Sequence, residues 1–152
     1  MDATAVARDF AAILGAALGE RCRGIALFGS QARGTARPDS DIDLLVIADG
    51  LAPDPLARAA ELRRPVLERT EPVAVLARTS AEFEADVTPL HLDLALDAIV
   101  LAERDAYLTT RLAQLRCRLD EAGLWRDADL TWRWRRLPTV ANWAIGWDGV
   151  RV

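Results

Sequence analysis

Apolar residues recur at helical spacing over residues 2–18, where Val6, Phe10, Ile13, Leu14 and Leu18 form one stripe and Arg8 and Asp9 fall off it. Steps of three and four place them on one face, which predicts an amphipathic helix ending near Gly19. Two short apolar runs follow. Ile25-Ala26-Leu27-Phe28 lies between Gly24 and Gly29, and Ile42 to Ile47 carries one acid, Asp43, inside it. Both read as buried strands. Pro53 and Pro55 open a segment whose Leu56, Ala59, Ala60, Leu62 and Leu67 predict a helix disturbed or divided at Pro65. Residues 72–77 read as a third short strand, and Thr79 three residues before Glu82 gives a capping box for a short helix holding Phe83.

Residues 89–98 alternate. Leu90, Leu92, Leu94 and Leu96 fall on one side, His91, Asp93, Ala95 and Asp97 on the other, which by periodicity is a strand. Over 103–122 the helical spacing returns with Tyr107, Leu108, Leu112, Leu115 and Leu119, closed by Gly123 as a C-cap. All five tryptophans, Trp125, Trp132, Trp134, Trp143 and Trp147, lie after residue 124. Around Trp132 and Trp134 the aromatics share one strand face and Arg133 and Arg135 the other, as in an edge strand or hairpin arm. Such a stretch suits base stacking in single-stranded nucleic acid, an anchor for a protein interface, or an aromatic cluster closing the core. The pattern predicts an α/β (α+β) domain over residues 1–122, with a short mixed sheet packed against helices, and a Trp-rich extension over 123–152 packed on the same domain.

The chemistry concentrates in residues 24–49, GIALFGSQARGTARPDSDIDLLVIAD. Gly29-Ser30 ends the first strand, where glycine allows close backbone approach to a ligand and serine adds a hydroxyl and an N–H. A short helix opening at Gln31 would turn its N-terminus toward a phosphate. Arg33 and Arg37 in the same loop could neutralise phosphate oxygens. Asp41 and Asp43 start the second strand on one face, with Cα atoms about 6.5 Å apart. Two such carboxylates can converge on Mg²⁺, which takes oxygen ligands and often uses one or two carboxylates plus substrate phosphates. A surface loop with Asp39, Ser40 and Asp41 as turn residues explains the loop. It leaves Asp43, inside an apolar run, without a reason.

Gly29-Ser30, ten residues, then Asp41-Ile42-Asp43 resembles the signature of the DNA polymerase beta-like nucleotidyltransferase superfamily. With Ala32-Arg33-Gly34 and Asp39-Ser40, the string is most similar to the minimal nucleotidyltransferases, often the antitoxin half of bacterial HEPN–MNT toxin–antitoxin pairs. The close likeness covers residues 25–48 and a looser one reaches about residue 105. It implies the polymerase beta-like fold and transfer of a nucleoside monophosphate, AMP from ATP, to a hydroxyl acceptor such as a tyrosine of a HEPN toxin. It implies Gly29, Ser30 and Arg33 as nucleotide contacts, and Asp41 and Asp43 as Mg²⁺ ligands. It also implies a third carboxylate from the strand at 72–77, where Ala74 stands at the matching position. Glu71, at that strand's mouth, and Asp93 are the substitutes available, with Asp97 and the single histidine, His91, behind them. Where periodicity reads a strand over 89–98, the resemblance implies a helix and then a short strand at Ile99-Val100-Leu101.

Composition sets the bounds. The chain has 152 residues, 51% hydrophobic and 28% charged, enough for one domain with a real core. A net charge of −4 leaves no footprint for broad nucleic-acid binding, with nucleic acid at most an acceptor. Every basic residue but His91 is arginine, so a Walker-type phosphate loop with its lysine is excluded. Cys22 and Cys117 have no metal spacing and read as core thiols in a reducing, cytoplasmic setting. Asp2, Arg8 and Asp9 interrupt the N-terminus as a signal peptide, and no apolar run spans a membrane. The absence of a second large domain favours the antitoxin branch over antibiotic-modifying relatives. Homo- or hetero-oligomers remain open. Two readings stand beside the enzyme: a nucleotide-binding module lacking the third acid, and a protein that neutralises a toxin by contact.

Overall fold

The computed structural model describes residues 1–136 and 144–151. The first helix, α1 (Ala3–Leu18), is capped by Asp2, whose carboxylate accepts from the Thr4 and Ala5 amides, and it stops at Gly19 with φ +59°. Strand β1 (Cys22–Phe28) is longer than its apolar run. It pairs antiparallel with β2 (Ile42–Ala48) on one side and with β4 (Ile99–Glu103) on the other. Strand β3 (Val73–Arg78) lies parallel to β2, so the four-stranded sheet runs β3-β2-β1-β4 and is mixed, as the sequence predicts.

Side-chain parity on β2 assigns the two faces. Ile42, Leu44, Val46 and Ala48 pack with Phe10, Leu14 and Leu18 of α1 and with Leu62 of α3 (Pro55–Arg63). Leu45 and Ile47 face the other way. They meet Phe83 of α4 (Ser80–Ala85), Leu92 and Leu94 of α5 (Pro89–Asp97), and Leu108, Leu112 and Leu115 of α6 (Tyr107–Ala122). With both faces covered, the central strands β1 and β2 are apolar at nearly every position. Asp43 breaks that rule.

Three expectations change, and the division of α3 at Pro65 is as expected. Residues 89–97 form helix α5, not the strand that alternation suggests. Pro89 occupies the first turn, Thr88 and His91 bond to each other across it, and the run lacks the β-branched residues strands favour. Burial of His91, Leu92, Leu94 and Ala95 follows the helix period, and the sheet position goes to β4, as the resemblance implies. Helix α3 ends at Arg63 and continues as a 3₁₀ turn through Pro65, which lacks the N–H for an α-helix. Helix α6 starts at Tyr107, after Asp105 and Ala106 at φ +53° and +51°. Cys117 stands exposed on α6 rather than in the core, while Cys22 is buried; both are free thiols.

In the tail, β5 (Leu124–Arg126) and β6 (Trp132–Trp134) form an antiparallel hairpin, and β7 (Ala144–Gly146) pairs with β8 (Gly149–Arg151). Trp132, Trp134 and Trp147 pack against the α5–α6 side of the core. Trp125 is exposed, and Trp143 lies outside the described residues. No described helix is long and apolar enough to cross a membrane.

Candidate active site

Asp43 stands at the mouth of the sheet. Phe28, the last residue of β1, is its antiparallel partner, and Ala74 of β3 is its parallel partner. The chain leaves β1 directly into α2 (Gly29–Arg33). Gly29 has φ +72°, and a Cβ built there would lie 2.3 Å from Oδ2 of Asp43. A side chain there would force the Asp43 carboxylate or the α2 backbone to shift, and the positive φ independently favours glycine. Ser30 follows, half-buried, and its carbonyl accepts from Thr35 N at 3.0 Å, turning the chain back. Ser40 closes the loop by accepting from Arg37 N through Oγ at 2.8 Å and donating its own N–H to the Arg37 carbonyl at 3.0 Å. Ser40 thus shapes the turn.

Asp41 is exposed just ahead of β2, and Asp43 is half-buried within it. Burial pushes the Asp43 pKa up, and the charge of Asp41 pushes it further, with Arg33 opposing. This is a carboxylate pair short of positive charge. Oxygen donors on a strand mouth beside a glycine that leaves the approach open fit Mg²⁺, which fills its remaining positions with water and phosphate.

The third carboxylate does not join them. The β2–β3 register puts Ala74 beside Asp43, so the position the resemblance points to carries a methyl group. Glu71 is held by Arg69, through Nη2 at 2.5 Å and Nε at 3.0 Å. Asp93, expected on a strand face, instead sits on α5 with Oδ1 accepting from Arg126 Nη1 at 2.9 Å. Asp97, one helical turn on, accepts from Arg126 and from Arg33. Among the described residues no three of His, Cys, Asp and Glu group as a metal site. His91 is structural. It is buried, stacks on Phe83 at 4.6 Å between centroids, and bonds the Phe83 carbonyl at 2.8 Å. Arg58 of α3 makes two 2.8 Å bonds to Glu82.

Arg126 is the residue the sequence did not reveal. It belongs to no motif and lies 96 residues beyond Ser30 of the glycine-serine step. Its only signal is a position beside the tryptophan-rich run.

The nucleotidyltransferase domain family matches residues 18–105, a span that holds the whole sheet and the glycine-serine and aspartate positions. No curated protein matches the chain. A solved toxin–antitoxin with AMP-PNP is similar over 74% of this chain and 86% of its own, with TM-score 0.54 and 18% identity. A mutant MntA–HpeT toxin–antitoxin has the same coverage and TM-score at 16% identity.

Proposed function

Because the chain belongs to the nucleotidyltransferase domain family, we propose that it moves AMP from ATP to a hydroxyl acceptor. The observation that carries this reading is the contact between the two halves of the motif: Gly29 gives way to the Asp43 carboxylate at the strand mouth. The backbone at Gly29 and Ser30 receives the β- and γ-phosphates. Arg33, four residues on in α2, lies within electrostatic reach of Asp43 and supplies positive charge to a phosphate. Asp41 and Asp43 hold Mg²⁺, which when bound neutralises charge on the α-phosphoryl group and the leaving pyrophosphate. Residues 1–122 carry this site, and the described hairpins of the tail pack on the same domain through Trp132, Trp134 and Trp147.

AMP-PNP in a solved structure of the same fold supports ATP as the donor. Its toxin–antitoxin character supports an acceptor on a partner protein, a HEPN toxin tyrosine being the one the resemblance implies. The setting is the cytoplasm. A second reading rests on one observation, Ala74 beside Asp43. In it the protein binds nucleotide, or holds its toxin by contact, without efficient transfer.

Calorimetry with ATP, with and without Mg²⁺, on wild type and Asp43→Asn tests the site. Mg²⁺-dependent binding lost in the variant supports it. A wild type that binds nothing removes both the enzyme and the nucleotide-binding module.

A further inference from the structure

We propose that Arg126, from the C-terminal hairpin, is a positioning residue for the nucleotide site: it captures Asp97 and Asp93 and so keeps Arg33 free to meet phosphate. The inference rests on the reading above, in which Arg33 contacts the nucleotide.

Four charged side chains form one chain of contacts. Arg126 grips Asp97 with both ends of its fork, Nη2 to Oδ1 at 2.5 Å and Nη1 to Oδ2 at 2.8 Å, and Nη1 also donates to Asp93 Oδ1 at 2.9 Å. Arg33 reaches the same Asp97 by a single bond, Nη1 to Oδ2 at 3.2 Å, on an oxygen Arg126 already shares. The side chains of Arg126 and Asp97 are 9% and 8% exposed, that of Arg33 22%. A bidentate guanidinium–carboxylate pair is stronger and more directional than a single long bond. Arg126 is therefore the owner of Asp97, and Arg33 is the partner that can leave. Arg33 is also under-satisfied: its Nε is buried without a hydrogen-bond partner among the described residues. A guanidinium with a spare donor, weakly tethered beside the acid pair, is suited to take up phosphate oxygens.

Charge balance gives the consequence. Two arginines face Asp93 and Asp97, and the set is neutral. Without Arg126, Asp93 loses its arginine, Asp97 keeps only Arg33 of the two, and the freed fork of Asp97 turns onto Arg33. Arg33 then becomes a fixed counter-ion, and the neighbourhood of Asp41 and Asp43 gains net negative charge. Both changes oppose a polyphosphate. Arg126 in turn sits over the Trp132 ring at 5.8 Å and pairs through its backbone with that residue. The hairpin is thereby tied to the site through Arg126, Asp97 and Arg33.

The test is calorimetry with Mg·ATP on the full chain, alongside thermal unfolding, for wild type, Arg126→Ala, Arg126→Lys and Arg126→Ala with Asp97→Asn. Arg126→Ala is expected to weaken Mg·ATP at least tenfold. Arg126→Lys, which keeps the charge but not the fork, is expected to fall between it and wild type. Adding Asp97→Asn to Arg126→Ala should return affinity to within about threefold of wild type, because the pull on Arg33 is gone. A purely structural role predicts no such rescue. If Arg126→Ala does not unfold cooperatively, Arg126→Lys with and without Asp97→Asn decides the matter. Wild-type affinity in a folded Arg126→Ala, or no rescue in a folded double variant, overturns the inference while leaving the nucleotide site standing. A wild type that does not bind Mg·ATP overturns both.

Discussion

A methyl group on Gly29 would sit 2.3 Å from Oδ2 of Asp43. The first strand's end and the second strand's acid are therefore fitted to one another. Gly29→Ala must move that carboxylate or the α2 backbone, and it also places alanine at φ +72°. Gly34, which ends α2, has nearly the same φ, +73°, but open space around it. Gly34→Ala carries the backbone strain alone, about 1–2 kcal/mol. Both variants are expected to lose stability by that order in urea unfolding. Only Gly29→Ala should lose Mg²⁺-dependent ATP binding, by tenfold or more in calorimetry. Equal binding by the two would show that the Gly29–Asp43 contact does not shape the site.

His91 makes stability fall toward acid pH. The Thr88 amide donates to its Nδ1 at 3.1 Å, which places the ring proton on Nε2, where it donates to the Phe83 carbonyl at 2.8 Å. Burial holds the pKa below the ordinary histidine value, with Arg78 helping and the Phe83 carbonyl and Asp86 opposing. The folded pKa lies under the unfolded one. As pH drops through about 6.5, the unfolded chain takes up a proton that the folded chain refuses. The urea midpoint should therefore decrease from pH 7.5 to 5.5. His91→Gln should cost about 1–2 kcal/mol at pH 7.5 and flatten this part of the profile. An unchanged slope in the variant would assign the pH dependence to other groups.

Much of the fold and the local part of the candidate site were legible in the sequence. Helix stripes such as Phe10–Leu14–Leu18 and the apolar runs of β1 and β2 signal their elements because both faces of the sheet are covered. The glycine-serine and paired aspartates are local in sequence, so their spacing survives without the fold. The segment 89–97 reads as a strand because its leucines alternate, yet the helix buries Leu92 and Leu94 with His91 and Ala95 and leaves Leu96 exposed. Capping by Thr88 and Pro89, together with competition from β4 for the sheet edge, decided for the helix. The Arg33–Asp97–Arg126 contacts join residues from α2, α5 and β5, and no local pattern announces a contact across that separation.

Gly24 shows the same close fit within the core. A Cβ there would meet Leu108 Cγ and Cδ1 at 2.6 Å, where α6 presses on the start of β1. Gly24→Ala is expected to destabilise by about 1–3 kcal/mol through overpacking. Leu108→Ala, at a fully buried site, should cost about 2–5 kcal/mol. The double variant should be less damaged than the sum, because the new methyl enters the space the leucine vacates. Additive losses in a double-mutant cycle would mean the two side chains do not compete for that space.

Ala74 offers the sharpest test of catalytic capacity. It lies beside Asp43 in the parallel β2–β3 register, so its side chain points to the same face from a strand about 4.8 Å away. An aspartate there would place a third carboxylate next to the proposed Mg²⁺ ligands without moving the backbone. It could complete the metal's oxygen ligands and accept the proton of the attacking hydroxyl. Two effects oppose each other. Added negative charge weakens binding of ATP without metal, while an added ligand strengthens Mg²⁺. If transfer is limited by the missing acid, Ala74→Asp should raise Mg²⁺-dependent AMP transfer to a hydroxyl acceptor by tenfold or more, read as labelled AMP on the partner protein. It should also lower the Mg²⁺ concentration needed for ATP binding. Tighter Mg²⁺ with no gain in transfer would mean that the strand mouth binds nucleotide but does not orient an acceptor, and would favour the binding module over the enzyme.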